Sequence, residues 1–265
     1  MQRDVSSRIV LDITEPAELA FAIAVSAQYA APTEAFVASL DGAAVEVHEV
    51  ADSHGTRVHV LRSGVGRLVV SYTAHIEGTA STDAATEQDL LVYARPSRYA
   101  ESDALGPTAW GEFAGITDPA ELLGSVSSWV GTRLQYVSGS SLPTDGATRT
   151  LLARQGVCRD YAHLCVALLR GLGIPARMAA VYAPGVYPMD FHAVAEAWIG
   201  DAWRAVDATT LAPRSTLVRI ATGRDAADTA FLTVTSGRAD LVEVTVTAVA
   251  DALPDDDITE LVSIH

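Results

Sequence analysis

Lysine is absent from this 265-residue chain, and cysteine nearly so, with Cys158 and Cys165 the only two. All 18 basic residues are arginine, set against 33 acidic ones for a formal net charge of −15. Phosphate backbones are held by clusters of cations, so this deficit argues against nucleic acid as a partner. The negative balance favours solubility and neutral or basic ligands. An alanine-, aspartate- and arginine-rich composition also follows from a biased source genome, so charge alone assigns no substrate. Seven positions apart on what reads as one helix, the two cysteines are separated by roughly 10 Å of rise, beyond disulfide reach. Both are expected to be free thiols.

No apolar run approaches the ~20 residues of a membrane span. Met1–Ser7 has no basic region leading into an apolar stretch. With free thiols this predicts a cytoplasmic protein that does not engage a membrane. His48, His54, His59 and His75 are scattered over several strand-like segments with no cysteine or carboxylate at ligand spacing, and no acidic loop has the calcium-binding pattern. No metal and no cofactor is expected.

The hydrophobic fraction, 49%, is ample for a buried core. Arg8–Ile13, Leu19–Val25, Thr33–Leu40, Ala43–Val50, Thr56–Ser63 and Gly66–His75 alternate or run apolar. Asp41-Gly42, His54-Gly55 and Gly64-Val65-Gly66 supply hairpin turns between them. This predicts an N-terminal antiparallel β-sandwich over residues 1–85, with Pro32 at an edge or break. Glu77–Asp89 reads as a polar linker and Leu90–Tyr99 as an extended entry segment. Asp118-Pro119 opens a helix carrying Leu122, Leu123, Val126, Trp129 and Val130 at helical spacing. Ala230–Thr235 and Leu241–Val249 read as two strands completing the sheet of a second unit, residues 86–252. Residues 253–265, with Asp255-Asp256-Asp257, read as a frayed acidic tail.

The chemistry gathers in three later stretches. After Gly156 the sequence is helical in composition through Leu172 and stops at Gly171 and Gly173, with Pro175 beyond. Cys158 therefore sits in the first helical turn, where free N–H groups and the positive end of the helix dipole favour a thiolate. Cys158, Ala162, Cys165 and Leu169 share one face. Asp160 in the same turn complements the dipole. His163 lies well round the helix from Cys158 and reads as a structural histidine, and Cys165 as a small buried apolar residue.

Phe191–Ile199 alternates, Gly200-Asp201 makes a turn, and Trp203–Asp207 resumes the pattern. A two-residue loop pairs Trp198 with Trp203, Glu196 with Ala205 and Val194 with Asp207. His192 then lies one diagonal from Asp207, roughly 7–8 Å between backbones, a gap two side chains can close. An aspartate there can take the imidazole N–H and fix which ring nitrogen faces the sulfur. Glu196 is the rival on the same face, and the diagonal prefers Asp207. Trp198 and Trp203 form a cross-strand pair, and one of them is a candidate wall of a cleft.

The stretch from about Trp129 to Thr210 resembles the core of the transglutaminase-like superfamily. The motifs that carry the resemblance are Cys158-Arg159-Asp160-Tyr161-Ala162-His163, Gly173-Ile174-Pro175-Ala176-Arg177, Asp190-Phe191-His192-Ala193, and Trp203 through Asp207-Ala208-Thr209. The resemblance implies an α+β chain whose papain-like core packs the nucleophile helix on an antiparallel sheet. In it Cys158 attacks an amide or ester carbonyl, His192 is the base and Asp207 orients it. It also implies that a side chain near Leu134–Gly139 helps the Cys158 N–H hold the oxyanion, with Gln135 and Tyr136 as candidates. The Gly223-Arg224-Asp225-Ala226-Ala227-Asp228 run recurs in bacterial members and reads as a solvated turn. The expected activity is thioester-forming acyl transfer or hydrolysis on a peptide or amide, with hydrolysis favoured. The alternatives are an amine-accepting transglutaminase and a non-catalytic interaction module; a zinc site from Cys158, His163 and His192 is disfavoured because the helix splays the first two.

Overall fold

The computed structural model describes residues 1–29, 33–81 and 84–265, so Pro32 lies outside the described residues. Strands β1 (Gln2–Phe21), β2 (Thr33–Leu40), β3 (Ala43–Ala44), β4 (His48–Ala51), β5 (Arg57–Ser63) and β6 (Gly66–Glu77) form the N-terminal antiparallel layer. β1 is its spine. One edge of β1 pairs with β6 over Gln2–Ile13 and with β5 over Ala17–Phe21, so the sheet forks around it in the order β3-β2-β6-β1-β5-β4. Alternation in β1 buries Val5, Ile9 and Leu11. The two segments read from the sequence as separate strands are one, because register shifts around Pro16 absorb a residue that cannot donate to a ladder.

The helical part begins with α1 (Glu87–Tyr93), α2 (Ser102–Phe113) and α3 (Pro119–Arg133). The expected extended run after Asp89 is helical through Tyr93. Thr86 Oγ1 accepts the Asp89 N–H at 3.2 Å and the Asp89 carboxylate accepts the Thr86 N–H at 2.8 Å, a capping box that starts α1. A short ladder of β7 (Gln135–Tyr136) and β8 (Gln155–Gly156) brackets α4 (Ala147–Ala153) and leads into α5 (Cys158–Gly171). α5 is buried nearly all round, with Leu164, Cys165, Val166, Ala167, Leu168 and Leu169 at 0% exposure.

One side of α5 lies on a four-stranded antiparallel sheet of β9 (Ala176–Tyr182), β10 (His192–Ile199), β11 (Ala202–Val206) and β12 (Val218–Gly223), in the order β11-β10-β9-β12. Ala176, Ala195 and Ala197 pack in the same cluster as α5, and their small side chains let the helix approach. The β10–β11 register pairs Glu196 with Ala205 and Trp198 with Trp203, as the alternation requires. Gly200 and Asp201 both have positive φ, 59° and 57°, the conformation of a type I′ turn.

After α6 (Ala226–Thr229) the chain departs from expectation. The two strands assigned to the core sheet are a single strand, β13 (Leu232–Ala250), and it pairs with β1 along its whole length. Period-two alternation shows that a segment is a strand but not which edge it joins. At Gly237 (φ +74°) a Cβ would stand 2.0 Å from the Pro16 carbonyl, so only glycine fits where β13 follows the bend of β1. Nor is the C-terminal segment frayed. Arg214 binds the Asp256 carboxylate at 2.9 Å, the Ala205 N–H donates to Val262 O at 2.7 Å, and Arg3 donates to His265 O at 2.8 Å.

Candidate active site

The β7–β8 ladder places the first turn of α5. The Val137 N–H donates to Gly156 O at 3.0 Å, and Tyr136 pairs with Gly156, two residues before Cys158. Asp160 accepts the Val157 N–H at 2.8 Å and the Ser141 hydroxyl at 2.9 Å, closing the helix start as a dipole-complementing acid should. A Cβ on Gly156 would meet the Asp160 Cβ at 2.7 Å, so the residue before this turn has to be glycine.

Cys158 is half-buried, and its Sγ lies 3.9 Å from the Phe191 carbonyl. The next residue, His192, is 2% exposed. Its Nε2 meets Asp207 Oδ2 at 2.8 Å and it forms a further side-chain hydrogen bond with Cys158. Burial alone would push His192 down. The Asp207 carboxylate and the Cys158 sulfur outweigh it and raise the imidazole to about 10. Asp207, 3% exposed, would be raised by burial; His192 and the Thr209 N–H and hydroxyl, at 2.9 and 2.6 Å from Oδ1, hold its carboxyl below the usual range. Thr209 is thus a positioning partner that sequence reasoning left without a role. Its signal was the Asp-x-Thr spacing of a local side-chain turn.

The rival acid is engaged elsewhere. Glu196 accepts from Arg177 Nε at 2.8 Å and Arg219 Nη2 at 2.6 Å in a buried triad. His163, fully buried, stacks on Tyr99 and accepts the Ala226 N–H at 3.1 Å. Burial, with Arg159 and Arg170 nearby, pushes it down to about 3, the neutral structural histidine its helix position implied. Cys165 is buried, and burial pushes its thiol up.

Of the three residues proposed for the oxyanion or cleft wall, Tyr136 alone reaches Cys158. Its phenol oxygen meets the sulfur and the backbone N–H of Cys158. Burial, with Cys158 and Asp190 beside it, pushes the phenol up to about 12, so it stays a donor. Gln135 is exposed and, one residue along the same strand, turns to the other side. Trp203 is a core residue, 3% exposed, with the Arg177 guanidinium 3.9 Å over its ring and Trp198 edge-on at 5.3 Å. The strong cross-strand aromatic signal marked packing, not the cleft.

The cleft itself is a cavity of about 530 Å³ beside Cys158 and His192. Met178, Phe191, Ile220 and Phe231 form its apolar wall. Ala22, just after β1, and Leu232, at the start of β13, bring the N-terminal layer to it. The Ala22 N–H donates to Phe231 O at 3.2 Å and ties those pieces together. Tyr99, the last residue of the Leu90–Tyr99 segment, lines another side, its N–H held by Asp225 at 2.8 Å. The Gly-Arg-Asp-Ala run is therefore not merely a solvated turn: Asp225 is 1% exposed, and Ala226 and Ala227 face the cavity. Phe231 has no local sequence signal, because only the tertiary fold carries it there.

The core model of the transglutaminase-like superfamily matches residues 108–208. The crystal structure of a candidate cysteine protease from Cytophaga hutchinsonii superposes with a TM-score of 0.85 at 32% identity, covering 97% of this chain and 92% of that one. The chain belongs to the transglutaminase-like superfamily. Two curated relatives match over shorter stretches. An uncharacterised Mycobacterium leprae protein is 28% identical over 133 residues, 46% of this chain and 47% of its own. One from Mycobacterium tuberculosis is 32% identical over 125 residues, 47% of this chain and 32% of its own. The match with this transglutaminase-like chain thus spans about half or less of those relatives' length. No helix among the described residues is long and apolar enough to cross a membrane, and no group of three metal-ligating side chains is found among them.

Proposed function

We propose that the protein is a thiol-dependent amidase or peptidase in which Cys158 is the nucleophile, His192 its base and Asp207 the residue that orients the imidazole. The observation that carries this is the buried His192–Asp207 contact of 2.8 Å, with the same imidazole hydrogen-bonded to the half-buried Cys158 in the first turn of α5. The raised imidazole supports an ion-paired thiolate, the reactive form of a cysteine nucleophile.

The sulfur attacks the carbonyl carbon of an amide, and its C=O pair moves to oxygen. The N–H of Cys158 and the phenol of Tyr136 stand where they can donate to that oxyanion. His192 gives its proton to the departing amine. Water, deprotonated by His192, then attacks the thioester, and the acid leaves as the thiol is restored. Asp207 and Thr209 keep Nε2 engaged throughout, so that Nδ1 is the nitrogen working on the sulfur.

Hydrolysis is preferred to transfer because the structural relative that matches along 97% of this chain is described as a candidate cysteine protease. Transfer to an amine is the second reading, favoured by the Asp190 carboxylate beside His192, which could receive a cationic acceptor. A peptide library digested with and without an added primary amine, read by mass spectrometry, tests both. Free carboxyl products lost in Cys158→Ala are expected; amine adducts alone would assign transfer, and no product in either arm would remove the catalytic reading.

A further inference from the structure

Asp190, Phe191 and His192 are consecutive and all three line the cavity, so a charge, an apolar wall and the imidazole are set side by side. Phe191 stacks on Phe231 with ring centroids 5.2 Å apart. Met178 and Ile220 extend that wall, and between them the lining is alanine, which leaves space rather than filling it. Besides the His192 imidazole, two charged side chains reach the cavity, Arg159 and Asp190. Arg159 is already committed, its Nη2 donating to the Ser141 hydroxyl, to Leu142 O at 2.7 Å and to Asp160 Oδ1 at 3.2 Å. Asp190 accepts only the N–H of its neighbour Phe191, at 2.7 Å on Oδ1; His192 acts on its charge, and among the described residues no arginine does.

We propose that the cavity is a specificity pocket for a large apolar side chain next to the scissile carbonyl, and that Asp190 receives a cationic group carried by the same substrate. The proposal rests on Cys158 as the nucleophile. The Phe191 carbonyl touches the thiol while its ring walls the pocket, so an acyl group on the sulfur has its own side chain within reach of that wall. A lysine or arginine side chain and a free α-ammonium share the chemistry Asp190 selects. A ligand with a carboxylate at that place meets like charge and is rejected.

The test measures binding rather than turnover, on Cys158→Ala protein, by NMR titration with five amides. These are acetyl-phenylalanyl-lysinamide, its alanyl-lysinamide, phenylalanyl-glutaminamide and phenylalanyl-glutamic acid amide counterparts, and phenylalanyl-glutaminamide with a free amino group. The phenylalanyl peptide should bind about tenfold tighter than the alanyl one. The lysine peptide should bind about fivefold tighter than the glutamine peptide, and the glutamic acid peptide weakest. Adding Asp190→Asn should erase the lysine preference and keep the phenylalanine preference. Adding Ala230→Phe, at a half-exposed position on the cavity wall, should do the reverse. If the free amino group replaces the lysine effect, the α-ammonium is the cation; if it does not, the side chain is. Equal affinities across the set, or a lysine preference that survives Asp190→Asn, would overturn the proposal. Cleavage of the same peptides by the unsubstituted protein is scored separately. Selective binding without cleavage keeps the pocket and removes the nucleophile, whereas cleavage without selectivity does the opposite.

Discussion

Replacing Asp207 by asparagine keeps the shape of the side chain and removes its charge. In the native site burial presses His192 towards neutrality, and the carboxylate 2.8 Å away, helped by Cys158, lifts it to about 10. Without that carboxylate burial is opposed by Cys158 alone. A hydrogen bond to a charged group is worth ~1.5–3 kcal/mol, which at 1.36 kcal/mol per unit lowers the imidazole by about one to two pH units or more. The imidazolium that faces the sulfur then gives way to the neutral ring about one to two pH units earlier than in the native protein. The assay is the initial rate of carboxamidomethylation at Cys158, mapped by mass spectrometry across the pH range, in the native protein and in Asp207→Asn. Cys165, at 0% exposure, serves as the silent internal control. At neutral pH Cys158 should be modified faster in the native protein than in Asp207→Asn, and the two rates should converge as pH rises. Superimposable profiles, or Cys165 reacting alongside Cys158, would refute the reasoning.

The same pair gives a stability signature. His192 is raised above its ordinary 6.5, so its contribution is complete below 6.5 and fades as pH rises through about 10; Asp207 is lowered from 3.8, so its contribution fades only as pH falls through that depressed value. The urea midpoint gap between native protein and Asp207→Asn should therefore be widest between 3.8 and 6.5 and shrink towards 10. Tyr136→Phe removes the proposed oxyanion donor and should lower kcat by about 10²-fold with little change in KM, measured on a cleaved amide. Glu196→Gln leaves Arg177 and Arg219 in a fully buried site without their shared carboxylate, and should cost about 3–5 kcal/mol in urea unfolding. Because the chain contains no lysine, the protein incubated with a glutamine donor and no added amine should show by mass spectrometry no cross-link through a side-chain amine of its own, even if transfer is its reaction.

The hairpin that joins His192 to Asp207 was legible because a two-residue turn and strict alternation leave one register, and α5 because its apolar face and flanking glycines are local. What the sequence hid depended on distant partners. β13 alternates like any strand, and only its pairing with β1 shows where it belongs. Trp203 looked like a cleft wall because aromatic residues serve both cores and sites. Its neighbours Arg177, Trp198 and Tyr93 make it core. The C-terminal aspartates read as a solvated tail until Arg214, buried to 3%, was there to receive Asp256.

The wall tied together by Ala22 and Phe231 has a practical consequence. The segment matched by the family, residues 108–208, carries the cysteine, the histidine and the aspartate, yet it cannot be cut out with the cavity intact. Excision would discard Ala22, Ile220 and Phe231 and open the cavity on one side. A fragment extended to include β13 but begun after β6 would fare worse, because a 19-residue strand would lose its partner β1 and present a bare edge to other chains. Anyone trimming or grafting this scaffold has to carry the first strand and the last together.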